Sequence, residues 1–159
     1  MKEAVYIESS IVSFLNGRRS RDLVITALQQ LTKDWWETKR RDFDLFVSES
    51  VIREISAGAE VDAAKRVASI RGIPVLVVDE GTVTLAEKIH AGAHLPEKAT
   101  EDALHIALAT VNELDYLLTW NCKHIANAVI VPKIERICLD AGFHCPKICT
   151  PQELMGIEE

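Results

Sequence analysis

The stretch EDALHIALATVNELDYLLTWNCKHI, residues 101 to 125, decides the fold, because it reads as a helix that leads directly into a short buried strand. Glu101 and Asp102 stand at the start of the helix, where acidic side chains suit the positive end of its dipole. The apolar run at residues 116–118 stops at Thr119-Trp120-Asn121. If helix and strand form an α-then-β unit, Asp102 and Asn121 fall on the same rim of one sheet.

Working outward, the same alternation recurs. Residues 4–7 (AVYI) read as a buried strand, followed by Glu8-Ser9-Ser10 and a helix IVSFLNG with a serine cap, closed at Gly17. Residues 22–38 read as an amphipathic helix with Leu23, Ala27, Leu31 and Trp35 at four-residue spacing. A second strand at 43–47 (FDLFV) opens into the helix SESVIREISAG, and a helix at 61–70 is stopped by Gly72. PVLVV at 74–78 reads as a third strand, with a helix from about residue 81 to 90 and a loop at 91–100. Helix 101–113 and strand 116–118 follow, then VPKIERICLDAG as a helix with Pro132 in its first turn, and TPQELMG as a short final one. Strands that are nearly continuous apolar runs, alternating with helices, predict an α/β fold: a central, mostly parallel sheet of four to five strands with helices on both faces. No linker or repeat interrupts the pattern, so residues 1–159 are expected to form a single domain.

Composition narrows the function. Of 159 residues, 48% are hydrophobic and 26% charged, the balance of an ordinary globular chain, and the net charge of −6 argues against a protein that coats nucleic acid through a basic surface. Local basic clusters remain, at Arg18, Arg19 and Arg21 and at residues 39–41. No apolar stretch approaches the ~20 residues that span a bilayer, and the Lys2-Glu3 start lacks a secretory apolar segment, so no membrane role and a cytoplasmic location are expected. Cys122, Cys138, Cys145 and Cys149 are accordingly expected as reduced thiols.

In open parallel sheets, sites form beyond the carboxyl ends of the strands. Those ends deliver Glu8, Ser9 and Ser10 from the first strand, Ser48 and then Glu54 from the second, and Thr119 and Asn121 from the fourth, with Asp102 opening the helix before it. Asp115 precedes the fourth strand and lies on the order of 13 Å from Thr119 at strand rise, so it belongs to the opposite edge and a turn or helix-end contact. Carboxylates gathered in one cleft commonly coexist around a divalent cation, and oxygen donors suit Mg²⁺ or Mn²⁺. Such an ion activates water and stabilises charge on a phosphodiester, so the chemistry suggested is phosphodiester hydrolysis.

With these motifs in place, the chain resembles the PIN-domain ribonucleases, and among them the VapC-type toxins of bacterial toxin-antitoxin pairs. The resemblance rests on VYIESSIVSFL, VSESVIREI and EDALHIALATVNELDYLLTWNCKHI, and covers nearly the whole chain. It implies a PIN-like fold, a metal-dependent endoribonuclease using Mg²⁺ or Mn²⁺, an RNA substrate, a small antitoxin partner and a homodimer. By position, Glu8, Glu54, Asp102 and Asn121 correspond to the family's catalytic and metal-binding set, with Ser9, Ser10 and Thr119 as supporting hydroxyls. The family's first acid is usually Asp, whereas this chain carries Glu8, whose extra methylene moves the carboxylate by about 1.5 Å. Asn121 contributes an amide without charge.

Other readings compete. Glu8 and Asp102 each suit a helix start through the dipole alone, Glu54 a solvent-facing turn, and the hydroxyls simple caps. His105, three residues after Asp102, reads as a hydrogen-bonded helix histidine. His90 and His94 lack the acid of a zinc motif, and Cys122, His124, His144, Cys145 and Cys149 match no standard zinc spacing. Two functional alternatives follow: a catalytically degenerate PIN domain acting as a binding module, and a housekeeping RNA-processing nuclease without an antitoxin.

Overall fold

The apolar runs become strands of one sheet. The computed structural model describes residues 1–157; the last two residues of the expected domain lie outside it. The strands are β1 (Glu3–Ile7), β2 (Phe43–Ser48), β3 (Val75–Leu76), β4 (Tyr116–Leu118) and β5 (Lys147–Cys149), all parallel, in the order β3-β2-β1-β4-β5. The helices are α1 (Ser9–Asn16), α2 (Leu23–Thr38), α3 (Glu49–Ile55), α4 (Glu60–Ser69), α5 (Glu80–Gly92), α6 (Thr100–Val111) and α7 (Val131–Asp140). From β1 the chain steps outward to β2 and β3, then returns across the sheet to β4 and β5. Right-handed crossovers therefore place α1 to α4 on one face and α5 to α7 on the other. The packing agrees: α1 lies against α2, α3 and α4, while α5 lies against α6 and α7.

The core sits around β1 and β4. Val5, Tyr6, Ile7, Leu117 and Leu118 are fully buried, and α6 is buried nearly all round through Ile106, Ala107, Leu108 and Ala109. A helix apolar on every side belongs at the centre of a fold. On the other face, Trp35 of α2 is fully buried, stacks on Phe43 at 5.8 Å and donates its indole N–H to the Leu154 carbonyl at 3.2 Å.

Several local expectations are corrected. The strand expected over 74–78 pairs only at Val75 and Leu76, because the Val78 N–H turns away to the Glu49 carboxylate at 3.0 Å; Val75 and Val77 are exposed on this edge. Residues 147–149, where the sequence predicts no strand, lie between Pro146 and Pro151 and are ordered by pairing with β4. The first helix is capped by Glu8, not by a serine: the Glu8 carboxylate accepts the Ser10 N–H at 3.0 Å. Helix α5 runs through Gly92, where a Cβ would stand 2.6 Å from Cδ1 of Ile137, so the glycine lets α7 pack closely. The final helix is a 3₁₀ turn at Glu153–Met155, and the expected loop holds another at Glu97–Ala99. Asp115 lies at the edge assigned to it, where its carboxylate accepts the Ala4 N–H at 2.7 Å and ties β4 to the start of β1.

Candidate active site

Strand order reverses between β1 and β4, and in open α/β sheets a crevice opens at such a point. Register sets what lines it. Ile7 pairs with Leu118, so Glu8 and Thr119 leave the sheet side by side; Glu8 N–H donates to the Leu118 carbonyl at 3.1 Å. Glu8 is 4% exposed and its carboxylate is enclosed by donors: Ser10 N–H, Ser10 Oγ and Thr119 Oγ1. A buried carboxylate demands such partners. Ser10 Oγ in turn accepts the Trp120 N–H at 2.8 Å, which joins α1 to the turn after β4.

Glu54 arrives from the last turn of α3. Its Oε1 accepts Ser9 Oγ at 3.0 Å and a short hydrogen bond from Nε2 of His105. Nδ1 of His105 lies 2.6 Å from the Tyr6 hydroxyl, which is 2.8 Å from Ser48 Oγ. Burial pulls His105 towards the neutral form, yet its bond to Glu54 and the charges of Glu8, Glu54 and Asp102 hold it above its ordinary value. Burial likewise pulls Glu54 upward, and the His105 bond and charge outweigh it and keep the carboxyl below its usual range. Three carboxylates from three elements thus act on one imidazole that is 1% exposed. Burial also drives the Tyr6 phenol far above its ordinary value, so it serves as a neutral hydrogen-bonding link.

Asp102 stands in the first turn of α6. Its Oδ1 accepts Asn121 Nδ2 and its Oδ2 meets His124 Nδ1, both at 3.0 Å. Asn121 Oδ1 accepts the His124 N–H at 3.0 Å, and Asn121 N–H donates to Thr119 Oγ1 at 2.9 Å. The sequence-derived residues therefore form two groups: Glu8 with Ser10 and Thr119, linked through Asn121 to Asp102, and Glu54 with Ser9. Ser48, one of the strand-end residues named from the sequence, also belongs to this network, as do Tyr6 and His124, which sequence reasoning did not place there. His105 is hydrogen-bonded as expected and touches the site as well. For His124 the available signal was its position three residues after Asn121, which matches a turn closed by the asparagine side chain. Beside the site, Arg53 donates to Glu101 at 2.6 Å and Glu101 accepts Ser50 Oγ at 3.0 Å.

The donor chemistry fits a hard divalent cation: carboxylates, hydroxyls and one amide, without a thiolate. No cage stands ready, for among the described residues no three His, Cys, Asp or Glu side chains converge as a cation requires. Asn121 presents its amide nitrogen, not its oxygen, to Asp102. The thiol-rich zinc alternative finds no such cluster either, and the four cysteines are free thiols. His90 has a structural partner, the Pro96 carbonyl at 2.9 Å from Nε2. No helix among the described residues is long and apolar enough to cross a membrane.

Among solved structures the chain is similar to VapC20 of Mycobacterium tuberculosis, a toxin that cleaves the sarcin-ricin loop, with a TM-score of 0.55 and 16% identity, over 71% of this chain and 86% of that one. The chain has a PIN-like fold. No family model matches it, and no curated relative matches it by sequence.

Proposed function

We propose that this protein is a metal-dependent endoribonuclease that hydrolyses RNA phosphodiester bonds, the toxin of a toxin-antitoxin pair. The observation that carries the reading is that Glu8, Glu54 and Asp102, from three separate elements, are each held by side chains at the switch point of a PIN-like sheet, Glu8 by Thr119, Glu54 by His105 and Asp102 by Asn121. Similarity to a toxin that cleaves the sarcin-ricin loop supports RNA as substrate and a small antitoxin as partner.

Glu8, Glu54 and Asp102 would hold Mg²⁺ or Mn²⁺, which when bound supplies Lewis acidity toward water and the phosphoryl group. The rest is done by the chain. Ser10 and Thr119 aim Glu8, Ser9 and His105 aim Glu54, and Asn121 and His124 aim Asp102. Such partners fix the orientation of ligands and are worth about 10- to 100-fold in affinity or activity. Asn121 acts in this arrangement as a positioning residue.

A second reading has its own observation. The carboxylates are already bound by protein donors, Glu54 and Asp102 each by a histidine of its own, which favours a degenerate PIN domain that works as a binding module. Titration of the protein and of Asp102→Ala with Mn²⁺ by calorimetry, with cleavage of a mixed RNA pool followed in parallel, separates the two. Binding and cleavage that both vanish in Asp102→Ala support the nuclease; no Mn²⁺ uptake by the unaltered protein supports the binding module. A housekeeping nuclease would cleave equally but lack a neighbouring gene for a small DNA-binding protein.

A further inference from the structure

Next to the carboxylates stands an aromatic pair that the hydrolytic chemistry does not use. Phe14 and Trp120 meet edge to face, with ring centroids 6.4 Å apart. Phe14 follows Ser10 by one helical turn, so the two share a face of α1, and Ser10 is the residue that holds both the Glu8 carboxylate and the Trp120 N–H. The indole is fixed by its N–H bond to Thr32 Oγ1 at 2.7 Å. Both rings are half-buried, and Phe14 packs on Trp120 outside the central core.

The same path continues to positive charge. Past the end of α1, the segment from Gly17 to Asp22 carries Arg18, Arg19 and Arg21. It is anchored to α2 by Gln29, whose side chain donates to the Arg18 carbonyl at 2.9 Å and accepts the Ser20 N–H at 3.3 Å. Between this loop and α2 lies a cavity of about 280 Å³, lined by Arg19, Thr26, Gln29, Gln30 and Lys33. Arg18 itself faces Asp62 at 3.9 Å, so Arg19 and Lys33 are the cations of the cavity. From Ser10 to Asn16 the helix rises about 9 Å. Carboxylates, aromatic faces and basic groups thus follow one another along α1 in a chain whose overall charge is negative.

We infer that a single-stranded RNA segment runs along α1, with an unpaired base next to the scissile bond stacked on Phe14 and Trp120 and a neighbouring phosphate received by Arg19 and Lys33. Aromatic stacking with a basic groove is the physical basis of single-strand binding, and a double helix offers no free base face to such a pair. This assignment rests on the nuclease reading and adds the residues that receive the strand. Phe14 is a specificity residue, not part of the hydrolytic set.

The test is the kinetics of cleavage of short single-stranded oligoribonucleotides with Mn²⁺, for the unaltered protein, Phe14→Leu, Phe14→Trp and the double variant Arg19→Ala/Lys33→Ala. Phe14→Leu is expected to raise KM by about 5- to 100-fold, the equivalent of one stacked base, with kcat changed by no more than about twofold. Phe14→Trp restores KM. The double variant lowers the slope of log KM against log salt by about 0.7, for one phosphate contact to a single strand. If the unaltered protein cleaves and Phe14→Leu has the same KM, or loses kcat alone, the stacking assignment is overturned while the nuclease reading stands, and the aromatic face belongs to a protein partner instead. If the unaltered protein cleaves no RNA, the nuclease reading falls and this assignment with it.

Discussion

Glu8 does two jobs with one side chain. Its carboxylate caps α1 by accepting the Ser10 N–H, and the same group receives Thr119 Oγ1 from across the crevice. An Asp there also caps, but the longer side chain reaches the hydroxyl of the neighbouring strand end. Glu8→Gln removes the charge and puts an amide donor against two hydroxyl donors. The expected outcome is a stability loss of about 1 kcal/mol from the cap and a fall in cleavage of about 100-fold or more from the lost charge, read by thermal melting and initial rates. At the next position inward, His105 and Glu54 form one pair whose stability has a definite pH window. His105 is held above its ordinary value by Glu54 despite burial, so its contribution is complete below the unfolded value near 6.5 and is lost as pH rises through the folded one. Glu54 is held below its ordinary value, so its contribution is present above about 4.5 and is lost as pH falls through the folded one. In EDTA, urea midpoints of the unaltered protein should therefore fall on both sides of a mildly acidic maximum. His105→Gln should flatten the alkaline limb; an unchanged limb would remove His105 as its source.

At the scale of elements, α2 is joined to the sheet by a single large side chain. Trp35 stacks on Phe43 at the start of β2 and bonds to Leu154 in the last 3₁₀ turn, bringing the two ends of the chain's path together. Trp35→Ala leaves a cavity and an unmet carbonyl, and should cost about 3–5 kcal/mol, seen as a lower urea midpoint. Among the described residues α2 is tied to the turn that carries Asn121 by the bond from the Trp120 indole to Thr32, which Trp35→Ala leaves in place, so Mn²⁺ affinity of the folded variant should stay close to that of the unaltered protein. The short edge strands show the limit of reading elements locally. β3 and β5 pair over two and three residues. The PVLVV run is apolar enough for a longer strand, yet the Glu49 carboxylate takes the Val78 N–H and ends the ladder; no pattern within PVLVV contains that information.

For the whole molecule, the N-terminal turn of α2 leaves Leu23, Val24 and Ile25 exposed, at 86, 68 and 39%. Three consecutive large apolar side chains in solvent mark an interaction surface, and the homodimer that the family resemblance implies would use it. Sedimentation velocity should give twice the monomer mass, and Leu23→Glu with Val24→Glu should return the monomer with its melting temperature nearly unchanged. A monomeric unaltered protein would leave this face to the antitoxin.

The alternation of apolar runs and amphipathic helices in the sequence determined the α/β class, the parallel sheet and the polar residues at the strand ends, because burial on both faces leaves a continuous apolar signature that survives without knowledge of neighbours. Glu8, Glu54, Asp102 and Asn121 could be named as candidates for that reason and through their family resemblance. What the tertiary structure alone decided is which groups those residues answer to. Register set Glu8 beside Thr119 across a separation of 111 residues, Tyr6 and Glu54 met at His105 from three elements, and Asn121 turned its amide to Asp102 and its oxygen to His124. Hydrogen bonds act over about 3 Å, and only the folded chain brings such distant groups within that reach.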